Sequence, residues 1–183
     1  MIFPHLYLDS ILELELEYLK QKGIRGLFLD VDGTLKDHGA LELASEVVEW
    51  MQLTRESGVS LWLCSNGRAA RIEKLALSLG VPFIAEAFKP FPFRCRRTLK
   101  EQGLLPQEMA MVGDQIYADV LVGRLSRMHT ILIRPTSRIE PWFTRLKRPF
   151  EAPVLWQLRR AKRRLEAKVE KALDAVTSSS DAK

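Results

Sequence analysis

Residues 24–35 read Ile24-Arg25-Gly26-Leu27-Phe28-Leu29-Asp30-Val31-Asp32-Gly33-Thr34-Leu35. The apolar run over 25–31 has the length of a strand. Its continuous rather than alternating hydrophobicity fits a sheet covered on both faces. Asp30 follows Phe28 and Leu29 directly, which predicts a carboxylate at the strand's carboxyl edge. Gly33 permits the turn that follows, so Asp32 can swing over the same edge. Two carboxylates this close repel each other unless a cation lies between them. Mg²⁺, an oxygen-liganded ion that leaves positions for phosphate, is the natural candidate. Taken alone, the same residues also read as an Asp-rich turn with a capping role.

On either side of this stretch the chain alternates helical and strand patterns. Helices are predicted over 10–22, with Asp9 or Ser10 as N-cap, and over 41–57, 68–79, 94–102 and 115–126. Strands are predicted over 59–64, 82–87, 108–113 and 129–134. Four helices stop at a glycine followed by an aliphatic residue: Gly23-Ile24, Gly58-Val59, Gly80-Val81 and Gly103-Leu104. Glycine takes the left-handed position past a helix end cheaply, and the next apolar residue packs back on the helix. This helix–glycine–strand rhythm predicts an α/β fold: a Rossmann-like parallel sheet with helices on both faces. In such folds ligands bind beyond the carboxyl ends of the strands.

Beyond residue 133 the character changes. Pro135, Pro141 and Pro149, with Trp142 and Phe143, make 134–152 an extended connection. Pro153 opens a helix over 154–176 whose apolar stripe runs through Leu158, Ala161, Leu165, Val169, Ala172 and Val176. The expected organisation is one catalytic domain over 1–150, a basic amphipathic helix over 151–177 and a disordered tail over 178–183. The formal net charge of the 183 residues is +5, and its placement is informative. Residues 1–133 hold 15 basic against 17 acidic side chains, whereas 134–171 hold 12 against 4. A near-neutral body therefore carries a basic segment suited to an anionic surface. Two cysteines, Cys64 and Cys95, make no disulfide framework and have no zinc-type spacing. The start of the chain has no signal-peptide pattern, and no apolar run reaches the roughly 20 residues that span a bilayer. The expected location is the cytoplasm, with peripheral contact on the inner face of the membrane.

Other predicted strand ends carry polar groups as well. Cys64-Ser65-Asn66-Gly67 places a hydroxyl and backbone N–H groups at a helix start, a setting for phosphate or simply a cap. Lys89-Pro90 follows the next strand, where an ammonium can neutralise a phosphoryl oxygen. Gly113-Asp114-Gln115 brings another carboxylate to a strand end, and Asp119 lies five residues further on. An acidic pair, a serine, a lysine and a second acidic pair occur at four successive strand ends, which chance capping does not readily explain. Together they supply a nucleophile, a general acid/base, a phosphate clamp and a metal site.

As a set these residues resemble the haloacid dehalogenase superfamily of aspartate-nucleophile phosphatases, over roughly residues 24–134. A narrower resemblance links Phe3-Pro4-His5-Leu6-Tyr7-Leu8-Asp9-Ser10-Ile11, Lys89-Pro90, Gly113-Asp114-Gln115 with Asp119, and the Arg-rich stretch after Ile133-Arg134-Pro135 to the YqeG family. That family belongs to the class IIIA phosphatases and is related to eukaryotic phosphatidylglycerophosphate phosphatases. Its members usually carry Asn where this chain has Gly33. The resemblance implies Asp30 as nucleophile and Asp32 as general acid/base. It implies one Mg²⁺ held by the Asp30 and Asp114 carboxylates and the Asp32 backbone carbonyl. It also implies Ser65, Asn66 and Lys89 around the phosphoryl group, with Asp119 in support.

The two usual insertion points for a cap domain, between Thr34 and Ser65 and between Ser65 and Lys89, are too short to hold one. An open site fits a phosphate on something bulky, and the basic tail suits an anionic surface; the family resemblance then implies phosphatidylglycerophosphate at a membrane surface as the substrate. Membrane contact is expected through 154–176, with Trp142, Phe143, Phe150 and Trp156 as interfacial residues. A soluble, protein or nucleic-acid phosphate is the alternative substrate. A non-enzymatic RNA- or lipid-binding module is the remaining alternative, although no aromatic–basic RNA-binding motif is present.

Overall fold

The computed structural model describes residues 2–40, 42–136 and 152–164. Six strands form one sheet: β1 (Leu6–Leu8), β2 (Gly26–Leu29), β3 (Ser60–Cys64), β4 (Phe83–Ile84), β5 (Met109–Gly113) and β6 (His129–Ile133). Their order is β1-β6-β5-β2-β3-β4, and every pairing is parallel. The helices are α1 (Leu16–Gln21), α2 (Ser45–Glu56), α3 (Ala69–Leu79), α4 (Phe93–Glu101), α5 (Leu121–Leu125) and α6 (residues 152–164).

The continuous apolar strands are explained by a sheet covered on both faces. Leu27, Leu29, Leu61, Leu63, Val112 and Ile131 pack with Leu19, Met51, Ile72 and Ala76 of α1, α2 and α3. Phe28, Trp62, Met109 and Met111 face the other way, onto Cys95 and Leu99 of α4 and Val122 of α5. Phe28 is fully buried with its ring edge-on to Trp62 at 5.8 Å, a burial that stabilises by about 1.5–3 kcal/mol. The glycines predicted to stop four helices all have positive φ.

Three local departures from the sequence pattern are physical. Residues 10–22 do not form one helix. Ser10 Oγ accepts from the Leu12 N–H at 3.2 Å and caps a 3₁₀ turn over Ile11–Glu13. The chain is then extended at Leu14 before α1 begins. The break buries Ile11, Leu14 and Leu19 together. β1 appears where no strand was expected, because its three residues gain their ladder from β6, with Leu6 opposite Ile131. The helix expected over 115–126 opens as a π turn over Ile116–Val120 before α5. Such turns occur often at functional sites.

The described part of the C-terminal helix packs on the domain. Val154 is buried beside Ile116, Val120 and Leu132, with Leu155 and Leu158 alongside. Lys162 pairs with Asp9 at 2.6 Å. Ala161, placed on the expected apolar stripe, is exposed. Residues 165–176 of that stripe, the tail over 178–183, and Trp142, Phe143 and Phe150 lie outside the described residues. Among the described residues no helix is long and apolar enough to cross a membrane.

Candidate active site

The register brings the strand ends level. Leu29 lies opposite Leu63 and Val112, so Asp30, Ser65 and Asp114 emerge along one edge of the sheet. Asp30 stays tied to the ladder, its N–H donating to the Val112 carbonyl at 2.8 Å.

Lys89 sits at the centre. Its Nζ donates to Asp30 Oδ1 at 2.6 Å, to Asp119 Oδ1 at 2.6 Å and to the Cys64 carbonyl at 2.8 Å. An ammonium has three hydrogens, and all three are used. Its side chain is 2 % exposed. Asn66 positions it through both backbone groups. The Lys89 N–H donates to Asn66 Oδ1 at 2.8 Å, and Asn66 Nδ2 donates to the Lys89 carbonyl at 3.0 Å. Asn66, expected around the phosphoryl group, therefore spends its amide on the Lys89 backbone. Ser65 is buried, and its Oγ accepts from the Gly67 N–H at 3.0 Å, the turn-capping arrangement.

Asp119 reaches Lys89 from the π turn. Its second oxygen accepts from the Gln115 N–H at 3.1 Å. The carboxyl group lies directly over Gly113, where any side chain would displace it. Asp30, Asp114 and Asp119 are all buried, and each offers an oxygen within 4.8 Å of the others. The first turn of the Asp30 loop packs against this group. Gly33 has φ +89°, and a Cβ there would stand 2.9 Å from Asp114 Oδ2. Glycine at this position thus meets both a backbone and a space requirement.

The electrostatics follow from burial and charge. Burial raises the Asp30 carboxyl to about 7, with Lys89 pulling it down and Asp119 pushing it up. Burial alone would lower the Lys89 ammonium, but the Asp119 and Asp30 carboxylates overcome it and hold it well above the usual lysine range. Three buried carboxylates and one ammonium leave an excess of negative charge. Hard oxygen donors with that excess fit a Mg²⁺ ion. Asp119 accepts from Lys89 and from the Gln115 N–H through its two oxygens, and Asp30 and Asp114 are the candidates to hold the ion.

Asp32 is turned differently. Its carboxylate takes a two-pronged contact from Arg71, at 2.9 and 2.5 Å, and a third from Lys36 at 3.2 Å. Partial burial alone would raise its pKa, but Arg71 and then Lys36 hold it below the ordinary carboxylate value.

Comparisons with known proteins give the family of the chain. Residues 5–126 match the family model of the haloacid dehalogenase-like hydrolases. The chain belongs to that family. The hydrolase is 29% identical over 157 residues to "Probable phosphatase YqeG" of Bacillus subtilis, covering 86% of this chain and 91% of that one. It is 24% identical over 164 residues to the chloroplastic/mitochondrial phosphatidylglycerophosphate phosphatase 1 of Arabidopsis thaliana, covering 84% of this chain but only 47% of the longer relative. Among solved structures, a HAD-like family hydrolase from Porphyromonas gingivalis superposes with a TM-score of 0.52 at 15% identity, over 68% of this chain and 98% of that one. The last similarity concerns the fold alone.

Several residues of this hydrolase's site had no distinctive sequence signal. Arg71 reads as an exposed first-turn residue of α3, yet it bridges to Asp32. Lys36 is i+4 from Asp32 and buried, with its Nζ also donating to the Ala40 carbonyl. Cys64 and Cys95 come together as free thiols, sulfur to sulfur 3.7 Å, directly beneath the strand end that holds Lys89. The chain between Asp30 and Ser65 holds a loop, α2 and β3, and that between Ser65 and Lys89 holds α3 and β4. Neither described segment contains a separate domain over the site.

Proposed function

We propose that this hydrolase is a Mg²⁺-dependent phosphomonoesterase that removes the terminal phosphate of phosphatidylglycerophosphate at a membrane surface. The observation that carries the catalytic part is the buried Asp30–Lys89–Asp119 ion cluster, with Asp114 beside it, at the strand ends. The lipid part is supported by the relatives named for that activity, and by an entrance with no inserted domain above it.

Asp30 is the nucleophile. Its free carboxylate oxygen attacks phosphorus in line, a P–O bond forms to Asp30, and the bond to the alcohol oxygen breaks. Asp32 gives that oxygen its proton, then takes one from water as the water attacks the aspartyl phosphate and releases inorganic phosphate. Asp32 can act as an acid only when Arg71 lets it go, because the guanidinium holds it ionised. An incoming dianionic phosphate competes for Arg71 and frees Asp32 to bind a proton. Lys89 meets a phosphoryl oxygen by exchanging one of its three acceptors, and the neutral Cys64 carbonyl is the weakest of these. Asp119 keeps Lys89 charged and in place, and Asn66 fixes its backbone. Ser65 and the N–H groups of its turn border the phosphoryl position. The Asp30 and Asp114 carboxylates, with the Asp32 backbone carbonyl, would hold Mg²⁺, which would supply neutralisation of the phosphoryl charge.

The test is phosphate release from phosphatidylglycerophosphate in mixed vesicles, beside a panel of soluble phosphate esters, with Asp30→Asn as control. Release from the lipid that needs Mg²⁺ and disappears in the control supports the reading. Turnover confined to soluble esters removes the lipid assignment. No turnover of any ester above the control removes the phosphatase.

A further inference from the structure

The residues just after the β4 strand end form an aromatic strip that no catalytic role uses. Phe88, Phe91 and Phe93 are 60, 59 and 72 % exposed, within six residues of chain. Isolated exposed apolar residues are ordinary, whereas three large rings side by side mark an interaction surface. The rings of Phe91 and Phe93 stack, with centroids 6.1 Å apart. The Arg94 guanidinium lies over the Phe88 ring at 5.2 Å. Pro90 and Pro92 separate the three rings and limit the backbone of the strip.

The strip adjoins the loop that carries Lys89. A cavity of about 430 Å³ is bounded by Asn66, Glu86, Phe88, Lys89 and Phe91. The Glu86 N–H donates to the Gly67 carbonyl at 3.1 Å, which ties this loop to the start of α3 and sets exposed Arg68 beside it. The surface thus joins exposed phenylalanines to the cations Arg68 and Arg94, with Glu86 as the acidic neighbour. Aromatic rings enter the apolar boundary of a bilayer, and arginines next to them meet anionic headgroups. The C-terminal helix is less available for this, since its described part already packs Val154, Leu155 and Leu158 on the domain.

We infer that the Phe88–Phe93 strip, with Arg68 and Arg94, is the surface by which this protein docks on an anionic lipid bilayer, setting the loop that carries Lys89 against the headgroup layer. The inference rests on the phosphatase reading only for what the docked face does. Docking itself is measured without turnover.

The experiment is co-sedimentation of the full chain with vesicles of equimolar phosphatidylglycerol and phosphatidylcholine, and with phosphatidylcholine alone. The parent is compared with a Phe91→Ser/Phe93→Ser double variant and with a Phe91→Trp/Phe93→Trp double variant. The parent prefers the anionic vesicles, and that preference falls in high salt. The Ser variant loses about tenfold or more in partition, because two large rings no longer leave water. The Trp variant keeps its partition and blue-shifts its emission on the vesicles. Hydrolysis of a soluble aryl phosphate is unchanged in both, which shows the fold and the site to be intact. A Ser variant that partitions like the parent overturns the inference, as does a parent with no preference for the anionic vesicles. A parent dimer that the Ser exchange dissolves, without vesicle partition, overturns it in favour of self-association. Failure of the parent to hydrolyse the aryl phosphate counts against the phosphatase reading and leaves the partition result standing.

Discussion

Replacing Lys89 by Met keeps much of the side chain's length and apolar stem but removes the ammonium. The ammonium is the shared partner of Asp30 and Asp119, each at 2.6 Å, in a site where all three side chains are at most 8 % exposed. Breaking a buried pair by deleting one partner costs about 3–5 kcal/mol, because the other charge stays buried and unpaired. For a domain of this size that lowers the Tm by about 10 °C. The pH dependence carries a sign. Burial already holds the Asp30 carboxyl at about 7, with Lys89 opposing it, so loss of Lys89 raises it further. Between the unfolded value of 3.8 and the folded one, the folded state binds more protons than the unfolded state. Stability is therefore lost as pH rises through that window. In the parent the window closes near pH 7. In Lys89→Met it extends to higher pH. Lys89 itself, with its folded pKa raised, contributes stability that the parent keeps throughout. The gap between parent and variant thus widens from acidic to alkaline pH. Urea unfolding followed by circular dichroism, in EDTA, measures it. Added Mg²⁺ narrows the gap, since a cation returns to the carboxylates. A gap below about 1 kcal/mol at every pH, or one that shrinks as pH rises, would refute the argument that Lys89 neutralises this cluster.

Arg71→Leu removes the group that holds Asp32 ionised, so the alkaline limb of kcat/KM moves to higher pH; an unmoved limb would count against Asp32 as the general acid. Asp114→Asn weakens Mg²⁺ binding measured by calorimetry in the absence of substrate, and EDTA abolishes phosphate release until Mg²⁺ is restored. At the opposite end of the sheet, burial and then the charges of His5, Lys22 and Arg124 lower His129 to about 4. The unfolded state binds the extra proton between about 4 and 6.5, so stability falls as pH drops through that range. His129→Gln, which can still bond Tyr18, flattens the profile there, and an unchanged profile would show that another group carries the acid sensitivity.

The places of Asp30 and Asp114 were legible because a short apolar run that ends in a polar residue locates a sheet edge, and parallel strands align their edges, whereas Lys89 and Asp119 arrive from the loop after β4 and from the π turn. The side chains that steer them were not. Whether Arg71 reaches Asp32 depends on the start of α3, since one residue of difference turns a helix by about 100°. Lys36 owes its burial to the curl of the Asp32 loop, in which a bridge joins Asp32 to Lys36. β1 is three residues long and only half-buried, and its strand character comes from a partner more than a hundred residues away. The break at Leu14 is equally non-local: propensity favours a continuous helix, and burial of Ile11 and Leu14 overrides it. Asn66 was expected around the phosphoryl group, beside Ser65, through the family resemblance. Its amide is instead taken by a backbone that arrives from the next loop.

The lack of an inserted domain among the described residues has a consequence for how such a catalyst tells substrates apart. A wall around the leaving alcohol would let it weigh one alcohol against another by fit. Among the described residues only a loop, α2 and α3 lie between these strand ends, so they are expected to read little beyond the phosphoryl group itself. On the proposed function, discrimination is a matter of address rather than shape: the protein is expected to act on whichever phosphate is held where the protein is held. It is then expected to be a generalist in dilute solution and selective only in the company of the surface that concentrates both partners.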